Sequence, residues 1–216
     1  VNAFRLKVLL LLSKQEADAD LNLKSTFAQI VTSEPLFAGN EDDAKLVFLD
    51  QQGNRYPEFN SSGYGSGMYM DSTFIRRLQD REDPRLFIYC TQTKNAEDGG
   101  LAIDNFAAYE GGDPAAPYAE VNTKAANGKT SKVNNRYHKD PTTEPLVLLG
   151  YAEQQLIIAE AIVRGWVAGN ETDYYNQGVK SSFKFYETYA KGLGSYVTAA
   201  KADAYLAKPI NSLSTA

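Results

Sequence analysis

His138 is the only histidine among the 216 residues, so any Ser-His-Asp or Cys-His mechanism would have to run through it. It lies in Arg136-Tyr137-His138-Lys139-Asp140-Pro141, which reads as a solvated polar loop, and no nucleophile signature accompanies it. Cys90 is the only cysteine and can close no internal disulfide. With neither a histidine pair nor a cysteine cluster, no zinc-ligand spacing is present. The run Leu86-Phe87-Ile88-Tyr89-Cys90 predicts a short buried strand with the thiol as a core group. Gly63-Tyr64-Gly65-Ser66-Gly67 resembles a phosphate loop only superficially, because the Lys-Ser/Thr that would reach the phosphates is missing. Asp18, Asp20 and Asn22 alternate like the start of a calcium loop, but its sixth position is Leu23 and its twelfth Gln29, which rules that motif out. The 27 acidic residues could include a glycosidase pair, but sequence cannot locate two carboxylates at the ~5 to 9.5 Å such chemistry needs. The expectation is a chain with no catalytic residue, no metal site and no cofactor.

What remains is tyrosine, 14 in all, with Tyr56, Tyr64, Tyr69, Tyr109, Tyr118 and Tyr137 in loop-like sequence. Aromatic faces pack against the C–H faces of sugar rings, while amide side chains hydrogen-bond hydroxyls. Tyr64, Tyr69, Tyr109 and Tyr137, with Asn60 and Asn105, are therefore the candidate ligand contacts. Tyr64 and Tyr69 stand out because Gly63, Gly65 and Gly67 place them in an open stretch. A structural reading stands beside this one, since Tyr also anchors long loops and Asn is a turn residue.

These residues need elements to position them. The chain is long enough for a sizeable core, with ordinary hydrophobic (43%) and charged (23%) fractions. Its net charge of −5, without a basic stripe, argues against nucleic acid as a partner. No run approaches the ~18 apolar residues of a membrane span. Val8 to Leu12 is too short for a signal-peptide core and lacks a cleavage site, so the chain shows neither an export signal nor an initiator Met. Apolar spacing predicts a helix over Ala3 to Lys14 and a second over Leu21 to Thr32, capped by Asp18 or Asp20. Residues 36 to 145 are rich in Gly, Asn, Asp, Ser and Pro. Strand-like pieces there include Leu46-Val47-Phe48-Leu49, a helix is expected over Ser72 to Asp80, and Thr91 to Lys139 reads as irregular. Helical order returns at Leu146 to Val167, where Leu156, Ala159, Val163 and Trp166 are expected to be buried along one side. Asn170 or Thr172 can cap a further helix to about Ala190, and a weaker one spans Ser195 to Ala207. The predicted class is mainly α. It has antiparallel helix pairs of tetratricopeptide type at residues 1–35 and 146–208, bracketing a long loop-rich insert at 36–145 with a few short strands.

Several of these segments together resemble the SusD/RagB family. Asp83-Pro84-Arg85-Leu86, after Ser72-Thr73-Phe74-Ile75, is similar to its DPRL element. Tyr151-Ala152-Glu153 and Ala159-Glu160-Ala161, followed by Arg164-Gly165-Trp166, resemble its late helix, and Tyr175 to Tyr186 the helix after that. Asn2, Arg5 and Lys7 resemble its basic mid-chain helix, while Tyr56-Pro57 to Asn60 and Tyr109-Glu110-Gly111 fit its intervening loops. On physical grounds Arg85 is expected to pair with a core carboxylate, and Glu153 and Glu160, on one helical face, to meet cations.

The resemblance implies a lipoprotein on the outer face of the outer membrane that captures glycans, or in some members peptides, and delivers them to a SusC-like TonB-dependent transporter. It also implies a chain about twice this length, with the lipid anchor in an N-terminal half that these residues do not include. Family ligand contacts vary in position, so no binding residue is carried over from it. A carboxylate-dependent hydrolase and a tetratricopeptide-like adaptor are the other readings.

Overall fold

The computed structural model describes residues 1–66 and 68–213. Its backbone is mainly helical, with a single two-stranded sheet among the described residues. In chain order the elements are α1 (Asn2–Leu11), α2 (Leu23–Ser33), β1 (Ala44–Leu46), α3 (Ser62–Ser66), α4 (Ser72–Asp80), α5 (Leu86–Tyr89) and α6 (Lys94–Asp98). They continue with α7 (Tyr118–Ala126), α8 (Arg136–Lys139), β2 (Leu146–Leu149), α9 (Tyr151–Val163), α10 (Glu171–Tyr189) and α11 (Ala199–Leu206). Two compact units are present: Val1–Leu46 with Leu146–Phe185 and Leu206–Ala216, and Val47–Pro145 with Tyr186–Tyr205.

The first unit is built on α1, α2 and α9. Leu6, Leu23, Phe27, Ile30, Ile157 and Ile158 form its core. Trp166 joins them, meeting the Phe27 ring edge-on at 5.7 Å and donating from Nε1 to Glu16 Oε2 at 3.0 Å. Lys7 pairs with Glu153 at 2.7 Å and Arg164 with Glu160 at 2.6 Å, as the sequence suggested. Asn170 Oδ1 accepts from the Thr172 backbone N–H at 3.0 Å and so caps α10 as expected. The cap of α2 differs from expectation. Asn22, in a left-handed conformation, occupies that position, and Asp18 instead closes a local turn by accepting from the Asp20 N–H.

The helix expected from Leu146 begins only at Tyr151. Leu146–Leu149 is a strand, antiparallel to Ala44–Leu46, so the chain departs at Leu46 and returns at Leu146 from paired positions. Leu46 is therefore the end of β1, and Val47 to Leu49 fall outside it. The expected inward face of α9 is also corrected. Ala159 and Trp166 are buried, but Leu156 is 42% and Val163 57% exposed, while Ile157, Ile158 and Ala161 are buried. The helix is apolar nearly all round, so a 4-3 spacing can be traced on more than one side, and packing against α1 selects which side is covered. Gln154 is buried as well, because its amide both accepts from and donates to the Phe37 backbone at 3.0 Å.

The second unit carries most of the loop-rich sequence. The stretch read as irregular holds α6, α7 and α8. Leu86 to Tyr89, expected as a strand, is a helical turn; only Cys90 is extended, bridged to Val133. Asp83 opens a turn just before α5, accepting from the Arg85 N–H at 3.0 Å through its carboxylate and from the Leu86 N–H at 3.1 Å through its carbonyl. Arg85 then folds back onto that same carboxylate, Nη2 to Oδ2 at 2.6 Å, with Asp83 1% exposed. Cys90 is buried, and that burial pushes its thiol up to about 12.

Candidate functional site

All six candidate contacts fall in the second unit, and the structure separates them. Tyr109 is corrected from ligand face to core residue. It is 3% exposed, packs on Phe87 and donates its hydroxyl to the Ile103 carbonyl at 2.8 Å. Asn105 uses its side chain locally, accepting from the Ala107 N–H at 2.9 Å. Tyr137 is half-buried between Tyr56 and the Arg136 guanidinium, which lies 4.7 Å from its ring centre. Arg136 is itself held by Glu144 at 2.7 Å and donates to the Thr143 carbonyl at 3.0 Å. Burial, with Glu144 nearby, raises the Tyr137 phenol well above its usual range.

Tyr64, Tyr69 and Asn60 keep some exposure. The expected open stretch around Tyr64 is corrected in part: Tyr64 sits on the short helix α3, which lies against α8, and Gly67 lies outside the described residues. Asn60, in a left-handed conformation, donates its N–H to the His138 carbonyl at 2.8 Å, so Asn60 and the helix that carries Tyr64 both lie against α8, which carries Tyr137. His138 is thus a half-buried helix residue and not a solvated loop residue. Desolvation, then Lys139 and Lys132, lower its pKa. Tyr69 stands apart from this group. Its backbone bridges Lys132, whose Nζ lies 5.7 Å from the Tyr69 ring centre. The following residues are clasped by Ser131 and Gly112, and at Gly111 an added Cβ would come within 2.3 Å of the Ser72 backbone.

One concavity was not foreseen from sequence. A cleft of about 540 Å³ opens between α6, the C-terminal end of α7 and the extended chain at 130–135. Asn95 stitches its walls together, its side chain donating to the Asn127 carbonyl at 3.0 Å and its N–H to Gly128. Gly128 has φ +70°, and a Cβ there would meet Asn95 Oδ1 at 2.3 Å, so the turn requires glycine. Thr91, Gln92, Glu97 and Asn135 also line a neighbouring pocket of about 260 Å³, floored by Phe87, Ile103 and Tyr109. In sequence this region reads as irregular; the signal passed over there is Thr93, whose hydroxyl accepts from the Ala96 N–H at 3.2 Å and caps α6. Among the described residues no group of three His, Cys, Asp or Glu side chains is placed to hold a metal ion. No helix among them is long and apolar enough to cross a membrane.

A family model described as "Starch-binding associating with outer membrane" matches residues 1–216. The chain belongs to the SusD-like family. A crystal structure from Bacteroides vulgatus, described as an outer membrane protein with a suggested part in nutrient binding, is 52% identical at a TM-score of 0.93; it aligns over 99% of this chain and 48% of its own. A SusD homologue from Bacteroides fragilis is 47% identical at 0.91, over 99% of this chain and 47% of its own. A structure described as a chitin-binding protein is 26% identical at 0.72, over 95% and 43%. The chain thus spans about half the length of these solved SusD-like relatives. A search of curated proteins finds no match. The mainly helical class expected from sequence is that of the SusD-like fold.

Proposed function

We propose that this chain captures glycan at the bacterial cell surface without chemically changing it, as part of a protein that passes the ligand to a SusC-like TonB-dependent transporter. The observation that carries the reading is the family match, which runs from the first residue to the last. The chitin-binding relative supports a saccharide ligand, and the family's link to the outer membrane supports a surface location, with a lipid anchor belonging to the whole protein. Within this chain Tyr64 and Tyr69 are the proposed stacking faces, with Asn60 beside Tyr64 as a hydrogen-bonding group, because all three remain partly exposed in the loop-rich unit.

Calorimetric titration with malto-oligosaccharides, chito-oligosaccharides and a mixed peptide pool tests this. Saccharide binding is the expected result. Replacing Tyr64 and Tyr69 with Ala is expected to weaken it by about 1 to 3 kcal/mol for each ring that stacks, by analogy with aromatic–base stacking. Peptide binding alone would redirect the reading to peptide capture. New reducing ends appearing on incubation with polysaccharide would make the protein a hydrolase. Unchanged affinity in a folded double variant would move the contacts off these two rings.

A further inference from the structure

We infer that the cleft between α6 and α7 is a sugar subsite that grips hydroxyl edges by hydrogen bonding, not faces by stacking. The inference deepens the glycan-capture reading and rests on it. Polar groups in the cleft wall are left without a hydrogen bond or ion pair among the described residues, and three of them carry the inference. The Thr130 hydroxyl is unbonded although the residue is only 6% exposed. A buried hydroxyl without a partner costs about 1 to 3 kcal/mol, a cost relieved when a ligand or water supplies the missing bond. The Glu97 carboxylate forms no ion pair and the Asn135 amide no side-chain hydrogen bond among the described residues, and both are exposed. Several other polar side chains of the wall are engaged: Gln92 on the Leu101 and Ala102 carbonyls, Asn95 on Asn127, Lys94 on Asp98, and Lys132 over the Tyr69 ring at 5.7 Å.

A free carboxylate, a free amide and a free hydroxyl match adjacent sugar hydroxyls. The two oxygens of Glu97 can each accept from one hydroxyl of a vicinal pair, the amide can donate and accept, and Thr130 can do either. No aromatic side chain lines the larger cleft, so a sugar ring there is held edge-on. The neighbouring pocket shares Glu97 and Asn135 and is floored by Phe87, Ile103 and Tyr109. Of these three only Ile103 is exposed, at 39%, and it offers an apolar surface for the C–H face of the next ring. The cleft volume of about 540 Å³ lies within the ~300 to 1,000 Å³ usual for small-ligand sites.

Amide spectra of the isotope-labelled 216-residue chain, titrated with maltotriose and separately with triacetylchitotriose, test the inference. Shifts at Asn95, Glu97, Gly128, Thr130 and Asn135 with at least one trisaccharide are expected. Glu97→Gln is expected to weaken the binding about tenfold and Thr130→Val about threefold to tenfold, in line with losing a charged and a neutral hydrogen bond. Thr130→Val also removes an unpaired buried hydroxyl, so it is expected to leave the melting temperature unchanged or raised. Shifts confined to residues 60–70 would overturn this subsite while leaving glycan capture standing. No shift anywhere at millimolar sugar would overturn both. Cleft shifts that Glu97→Gln and Thr130→Val leave untouched would overturn the hydroxyl-edge mechanism.

Discussion

Replacing Trp166 with Ala is expected to destabilise the chain by about 3 to 5 kcal/mol, the usual cost of deleting a core aromatic. Trp166 is 4% exposed and closes the core of the first unit against Phe27, Leu23 and Ile158. The neighbours lie on two helices, α2 and α9, so they cannot all collapse into the vacated space. The substitution also removes the hydrogen bond to Glu16, whose carboxylate is held below its usual range by hydrogen bonds from Lys24 and then Trp166. Trp166→Phe separates the two contributions. It keeps most of the packing and loses the indole donor, and is expected to cost about 1 kcal/mol from the hydrogen bond plus a small packing loss. Urea denaturation followed by circular dichroism measures both, since Trp166 is the only tryptophan and fluorescence is lost with it. A cost for Trp166→Ala below that of Trp166→Phe would show that the indole is not a core group.

Asp83→Ala is the second large effect, expected at about 3 to 5 kcal/mol, as for removing one partner of a buried ion pair. The Arg85 side chain is 18% exposed and donates to Asp83 through Nε at 2.9 Å and Nη2 at 2.6 Å, while its guanidinium lies 5.6 Å from the Tyr205 ring centre. Asp83 also accepts from the Arg85 N–H, so the substitution takes away a bond of the turn before α5 as well as the counter-ion. Burial alone would lower the Arg85 pKa, and the Asp83 bond and charge more than reverse this. The guanidinium therefore stays charged and cannot escape by losing its proton. Asp83→Ala combined with Arg85→Met is expected to recover a large part of the loss, because the buried charge is then gone. A double variant no more stable than Asp83→Ala would locate the damage in that turn instead. The same denaturation series distinguishes the two.

Neither substitution touches the proposed sugar contacts, so each also serves as a control for binding. A folded Trp166→Phe protein that binds saccharide as the parent does would separate loss of stability from loss of site.

The outer helices were legible in the sequence because helical spacing and capping are local. Apolar residues at Leu23, Phe27 and Ile30 mark the buried side of α2, and Asn170 announces α10 through a side chain that bonds two residues on. The pairing of Arg85 was legible for the same reason, since its partner lies two residues away. The order of such segments along the chain was enough to suggest the family. Elsewhere local pattern was ambiguous. A short apolar run such as Leu86 to Cys90 suits a strand or a helical turn, and Leu146 to Leu149 suits a strand or a helix start. The first was settled by the turn at Asp83 that leads into α5, the second by a strand about a hundred residues earlier in the chain. Tyrosines were visible as a type, but exposure is a property of packing, and packing buried Tyr109 while leaving Tyr69 beside Lys132. The cleft was decided by tertiary structure alone. Its walls come from residues 91–97 and 125–135, which meet because Asn95 bonds across to the turn at Asn127 and Gly128 and Thr91 exchanges hydrogen bonds with Lys132, contacts that no spacing along the chain encodes.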